Sequence, residues 1–258
     1  MNLYFSPAAP AKGVFALSKM MHLIGVNRLS YVGTPGKKDG PVIMWKGDTK
    51  LPKPATVPDK AINYGCRDIS KAHVSRVFDL VFGYHLSVNP TEYSGKMVEK
   101  ADENAAHDGK VLNGPIPHLQ GDGRVYQILI DNSDDNGFIT DIRVPVIGNK
   151  LPLVYLKKRP IEERFSNANR SVTVAETADV FAPHEISAIR GFSRAMGMDY
   201  GELDVLRDRS SGLIYIVDAN KTPLGPPNGL PEQEGYAALR RMGGVFKEQF
   251  IDGAYWRP

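Results

Sequence analysis

The sequence predicts an α+β protein. Between residues 96 and 218, strand-like runs outnumber the helices that could serve as crossovers, which argues against a doubly wound parallel sheet. Hydrophobic residues make up 42% and charged residues 24% of the 258, the composition of a packed chain rather than a disordered one. No internal repeat or low-complexity tract interrupts it.

Residues 12–23 place Val14, Leu17 and Met21 at helical spacing. Loop-rich stretches at 33–40 and 48–58 flank an apolar run at 41–45 that reads as a strand, and 61–64 reads as another. No opening strand stands out before them. Ser70 is placed to cap a helix over 71–82, whose Val74, Val77, Phe78 and Val81 share one face, and Gly83 stops it. A strand at 96–100 leads into a loop at 101–108 closed by Gly109. A strand at 124–130 then runs into the Asp/Asn-rich turn 131–137. Residues 139–147 and 151–157 read as a hairpin turning at Gly148-Asn149. Pro183 suits the first turn of a helix reaching Met196. Strands at 203–206 and 213–218 follow, and a helix over 231–250 ends the pattern.

Composition excludes several classes of function. The net charge of +3 is too balanced for a nucleic-acid binder, which would show a concentrated basic stripe. The first ten residues lack a basic segment followed by an apolar run, and no stretch approaches ~18 apolar residues, so neither a secretory signal nor a membrane span is expected. A cytoplasmic protein is the expectation. Cys66 is the single cysteine, which rules out an internal disulfide and leaves any zinc site to His and carboxylates.

Three constellations carry chemistry. Asp204 interrupts the apolar run Leu203, Val205, Leu206, while Asp218 and Asn220 share one side of the next strand. Two carboxylates and an amide oxygen on one face are hard ligands suited to Mg²⁺ that phosphates also hold. The plain alternative is a solvent-facing aspartate followed by an Asp/Asn turn. Upstream, Lys71 opens a helix, and Lys100 ends a strand before a loop of small residues. A lysine so placed can meet a phosphate as a point charge, although the chain has neither GxxxxGK[ST] nor GxGxxG. Third, Asp141 and Arg143 point the same way along one strand, and Arg159, Arg164 and Arg170 follow. This cluster suits bidentate recognition of carboxylate or phosphate, the alternative being a charged hairpin edge.

Taken together, a lysine at a helix start, a lysine before a flexible loop, "DIRV.V.G", "R…SN..R", an aspartate on a strand and "DAN.TP" resemble the ATP-grasp superfamily. The likeness is nearest to its RimK-like amino-acid ligases, with glutathione synthetase and D-alanine–D-alanine ligase further off. It covers about residues 70–223. It implies two α+β lobes clasping ATP, residues 70–130 and 131–258, behind a short N-terminal α/β lobe of residues 1–69. It implies that Lys71 and Lys100 contact ATP phosphates, that Gln127 to Ile130 form the adenine hinge centred on Leu129, and that Asp141 binds the ribose hydroxyls. Arg159 and Asn167 would lie near the γ-phosphate and reacting acyl group, Arg143 and Arg170 would meet an anionic substrate, and Asp204, Asp218 and Asn220 would hold two Mg²⁺ ions, with Mn²⁺ as a substitute.

The chain departs from that pattern in three places. Asp218 stands where the family more often has glutamate, one methylene longer. The loop before Gly109 is poor in glycine and carries His107. The N-terminal lobe is short.

The implied reaction is ATP-dependent ligation of a small anionic carboxylate or peptide to an amine, through an acylphosphate, with release of ADP and phosphate. An ATP-grasp kinase and a non-catalytic nucleotide-binding module are the alternatives. Homodimerisation is the general expectation for a soluble enzyme.

Overall fold

A computed structural model describes residues 2–25, 29–31, 40–106, 108–119, 121–166 and 168–256. The chain begins with β1 (Leu3–Pro7), α1 (Ala16–Leu23), β2 (Leu29–Tyr31), β3 (Val42–Trp45) and β4 (Ala61–Ile62). These strands form a four-stranded parallel sheet in the order β2-β1-β3-β4. The opening strand that the sequence did not reveal is therefore present and central. Leu3 and Phe5 on one face and Ser6 on the other are buried and Pro7 is exposed, and five residues are too few to declare a strand period. The first helix starts at Ala16, four residues later than its spacing suggests, because residues 12–14 form a turn with Gly13 at φ +71°. The strand read at 61–64 stops after Ile62, since Asn63 turns into the left-handed region at φ +61°.

Next come α2 (Lys71–Phe82), β5 (Gly95–Ala101), β6 (Lys110–Gly114) and β7 (Arg124–Ile128). The Ser70 side chain accepts the His73 N–H, and Gly83 ends α2 in the left-handed conformation. The three strands make an antiparallel sheet in the order β6-β5-β7. β6 was not foreseen, because its five residues are largely exposed and carry no apolar face.

The remainder contains β8 (Phe138–Ile147), β9 (Val154–Pro160), β10 (Ser171–Ala175), α3 (Thr177–Val180), α4 (Pro183–Ala195), β11 (Tyr200–Arg207), β12 (Ile214–Asn220) and α5 (Glu232–Phe246). The helix read over 231–250 ends its α-helical part at Phe246 and continues as a π-helical turn over Lys247–Ile251. Five antiparallel strands pair in the order β10-β9-β8-β11-β12. β8 and β9 are interior strands, so their charges do not guard an edge. Among the described residues, no helix is long and apolar enough to cross a membrane.

Two cores flank this sheet. On one face Ile142, Val144, Leu203, Val205 and Ile216 pack with Val74, Val77 and Phe78 of α2 and Ile189 and Phe192 of α4. On the other, Tyr155 and Tyr200 join Phe5, Trp45, Met20, Met242 and Phe246 of the N-terminal sheet, α1 and α5. Alternation along the strands produces both cores from the same segments.

Asn63 locks the N-terminal sheet to this arrangement. Its Oδ1 accepts the N–H groups of Asp199 and Tyr200, each at 2.9 Å, and its Nδ2 donates to the Tyr200 carbonyl at 2.6 Å. Next to it Gly65 and Gly197 lie backbone to backbone. A Cβ on Gly197 would meet the Gly65 carbonyl carbon at 2.5 Å, so no side chain fits there. The fully buried Asn63→Ala variant loses these bonds and leaves two N–H groups without partners. It is expected to unfold about 2–4 kcal/mol more easily in urea; a loss below about 1 kcal/mol would show that the network does not hold the two sheets together.

Candidate active site

The polar side of the five-stranded sheet floors a cavity of about 490 Å³. Val98 and Lys100 of β5 with Asn104, Ala105, Ala106, Asp108 and Gly109 wall it on one side, and residues 164–166 and 224–228 on the other. A hollow of about 690 Å³ beside Tyr236 and Arg240 is larger, but α5 alone supplies its walls and no groups converge on it.

The cavity floor is organised by strand register. Arg143, Asp204 and Asp218 stand directly opposite one another across β8, β11 and β12. Asp204 accepts from Arg143 Nε at 3.0 Å and Nη2 at 3.1 Å, and from Lys157 Nζ at 3.2 Å. Burial pushes the Asp204 carboxyl up, but Arg143 and then Lys157 outweigh it and hold it well below the usual carboxylate range. Asp204 in turn, more than the Glu202 carboxylate 3.6 Å from Nε, keeps Arg143 firmly charged. Glu202 is buried, its Oε2 lacks a hydrogen-bond partner, and burial raises its carboxyl.

Beyond Asp204 the register slips by one residue, and Val217 of β12 forms a bulge. Such an insertion re-aims the residues that follow it. Lys100 Nζ reaches across from β5 to donate to the Val217 carbonyl at 3.3 Å. Burial lowers this ammonium to about 8, opposed by the Asp218 carboxylate. Burial raises the Asp218 carboxyl, with Lys71 and Lys100 opposing, and Asp218 Oδ1 is buried without a hydrogen-bond partner. Lys71 donates to the Glu103 carbonyl, and Asn220 Oδ1 accepts the Thr222 N–H at 2.9 Å.

At the opposite end Arg159 ion-pairs with Asp141 and donates to the Ser166 carbonyl at 2.7 Å. Asp141 also accepts from Asn132 Nδ2 at 3.0 Å; burial raises its carboxyl, and Arg159 and Lys157 oppose that. Arg164 Nη1 donates to the Ile130 carbonyl at 3.0 Å and Asn132 Oδ1 at 2.9 Å, which ties residues 161–166 to the β7–β8 linker. In that linker the Leu129 N–H donates to the Lys96 carbonyl at 3.1 Å, while Gln127 Nε2 donates to Ser75 Oγ at 2.8 Å.

Neither a family model nor a curated relative matches the sequence. Solved structures do. The chain is similar to the ATP-grasp ligase PsnB complexed with a phosphomimetic variant of a minimal precursor, Mg and ADP, at TM-score 0.59 and 11% identity over 96% of each chain. It is similar to a RimK domain ATP-grasp protein from Sphaerobacter thermophilus DSM 20745, at TM-score 0.56 and 10% identity over 97% of this chain and 100% of that one. It is similar to D-alanine–D-alanine ligase from Bacillus anthracis, at TM-score 0.51 and 10% identity over 96% of each chain. The fold is ATP-grasp.

Within this ATP-grasp fold Lys71, Lys100, Gln127, Leu129, Asp141, Arg143, Arg159, Asp204, Asp218 and Asn220 all line the one cavity. Asn167 and His107 lie outside the described residues. Arg170 is exposed and is not part of the lining. Sequence reading passed over Lys157, Glu202 and Phe165. Lys157 stands opposite Asp141, a pairing that counting back from the hairpin turn brings within reach, and Glu202 shares the side of β11 that Asp204 occupies. Phe165 left no such signal. It packs on Gly109, where a Cβ would meet its ring at 2.5 Å, across the two walls of the cavity.

Among the described residues no group of three or more His, Cys, Asp or Glu is set to hold a metal ion. A hard cation here would depend on Asp204, Asp218, Asn220 and oxygens from its own ligand. The donor set fits Mg²⁺ in one concrete respect: the unpartnered Asp218 Oδ1 is an acceptor that the protein leaves open.

If Lys100 meets an anion at this site, binding there is expected to depend on pH: with its ammonium lowered to about 8 by burial, an anion arriving above that pH must draw a proton onto the lysine. Affinity for ADP, measured by calorimetry between pH 7 and 9.5, should therefore fall as pH rises through about 8. Lys100→Met should bind more weakly at pH 7 and show a flat profile; an unchanged profile in that variant would remove Lys100 from the anion site.

Proposed function

We propose that this chain is an ATP-dependent carboxylate–amine ligase that forms an amide or peptide bond through an acylphosphate. One observation carries the reading. A buried carboxylate with an open oxygen, Asp218, sits in the field of two lysines that come from different elements, Lys71 and Lys100. A site for a magnesium-bound polyphosphate needs that combination of hard oxygen and positive charge that bonds carbonyls rather than a carboxylate.

Each side chain then has a task. Lys71 and Lys100 neutralise phosphate oxygens. Asp204, Asp218 and Asn220 would hold Mg²⁺, which supplies further neutralisation of charge on the transferring phosphoryl group. Asp141 faces the ribose, Leu129 and Gln127 border the adenine, and Arg159 and Arg143 order the reacting carboxylate end. The substrate carboxylate attacks the γ-phosphorus, ADP leaves, and an amine displaces phosphate from the acylphosphate as it loses a proton. The protein needs no nucleophile of its own, since positioning and charge neutralisation supply the rate. Water must be kept from the acylphosphate, and the Phe165–Gly109 contact across the cavity mouth serves that end.

PsnB is an ATP-grasp ligase whose structures hold Mg, ADP and a minimal precursor. A peptide or small carboxylate is the matching substrate class here.

The test is a screen for ADP release over pairs of carboxylates and amines, followed by mass spectrometry of the products. Free phosphate and a dehydrated adduct of the two substrates are expected. Phosphate retained on the acceptor would make the protein a kinase. Asp218→Asn keeps the shape and removes the charge, and should lower ADP release by at least about 100-fold; turnover at the wild-type rate would reject Asp218 as a metal ligand.

A further inference from the structure

Resting on the ligase reading above, we propose that in the nucleotide-free chain Asp204 is masked as a metal ligand, with Lys157 as the removable part of the mask. The metal site then opens only when phosphate draws that lysine away.

Both Asp204 oxygens are taken. Arg143 holds them in a bidentate grip, and Lys157 shares Oδ1 at 3.2 Å. Asp218, directly opposite on β12, has an oxygen that nothing holds. Of the two carboxylates expected to share a metal, Asp218 has an oxygen that bonds nothing and Asp204 carries two bonded cations, which oppose a third.

The two cations of the mask are held differently. Arg143 stands opposite Asp204 on the adjacent strand, bonds both oxygens, and is also pulled by Glu202 at 3.6 Å. It is rigid and stays. Lys157 comes from β9, on the far side of β8, and makes one contact with Asp204 through a flexible stem. Its cross-strand partner is Asp141, but Arg159 already satisfies that carboxylate. Lys157 is thus a spare charge that leans to Asp204 because nothing nearer needs it. A polyphosphate in the same cavity offers more charge than one carboxylate, and a lysine ammonium is a mobile point charge that can follow it. When Lys157 turns to the phosphate, Asp204 loses one of its two bonded cations and its Oδ1 can accept a metal beside Asp218. By linkage, nucleotide and metal then strengthen each other by more than their direct contact supplies.

Lys157 is a positioning residue in this scheme, acting through Asp204, and its signature is metal affinity without nucleotide. The experiment titrates the full chain with Mn²⁺ alone, following free Mn²⁺ by electron paramagnetic resonance, with ADP binding measured separately by calorimetry. Wild type should bind Mn²⁺ weakly without nucleotide. Lys157→Met should bind it about tenfold more tightly, the scale of one lost charged hydrogen bond, whereas Lys157→Arg, which keeps the mask, should behave as wild type. Arg143→Lys, which keeps the charge but loses the bidentate grip, should shift in the same direction as Lys157→Met and serves if that variant does not fold. Unchanged or weaker Mn²⁺ binding in folded Lys157→Met, or in Arg143→Lys where Lys157→Met does not fold, overturns the masking. Wild type that binds no ADP overturns the ligase reading itself, so the two failures are separable.

Discussion

A carboxylate in the interior of a five-stranded sheet, flanked on both sides by other strands, meets solvent only on its cavity side and needs protein cations to stabilise its charge. Asp204 is in that position. Left alone it would be protonated or would disrupt the packing. The neighbouring strands answer with Arg143 directly opposite and Lys157 one strand beyond, and much of the cleft follows from that arrangement. Arg143 needs a further anion, which Glu202 supplies. The polar row requires the other face of the same strands to be apolar, and that face is the packing surface for α2 and α4.

Two features keep this row in position. The bulge at Val217 shifts the register just beyond Asp204, and Lys100 anchors the bulged carbonyl from the opposite sheet. The cavity therefore has a fixed rim where its floor and its roof meet. Behind it, the second core binds the N-terminal sheet to the large one through Tyr155, Tyr200 and Phe246. Asn63 completes that connection with backbone hydrogen bonds that only a left-handed residue with an amide side chain could make.

The chemistry assigned to the cleft is electrostatic throughout. Its cations all face carboxylates, carbonyls or each other inside one volume, and Cys66, the single thiol, is buried elsewhere with its pKa pushed up to about 12 by burial. A thiol so placed is not a nucleophile. Under the proposed ligase reading, catalysis by such a site would consist of holding oxygens in line and distributing charge, and the proposed masking of Asp204 would give it an order of assembly.

Local pattern was sufficient for α2, whose cap, apolar stripe and stop signal all lie within fourteen residues, and for α4, which begins at Pro183 as its proline indicates. It was sufficient too for the side-by-side placement of Asp218 and Asn220, because strand alternation is a property of the chain itself. β1, β6 and β10 escaped notice because five residues carry little periodicity. What bonds to what at the site was not legible at all. That Arg143 grips Asp204, that Lys157 leans past its own partner to join it, and that Glu202 shares the arginine depend on pairing between strands some 60 residues apart. Sequence determined which charges the chain carries and on which side of each strand they fall; tertiary structure alone decided which of them neutralise one another, because inter-strand register is set by the packing of the whole sheet.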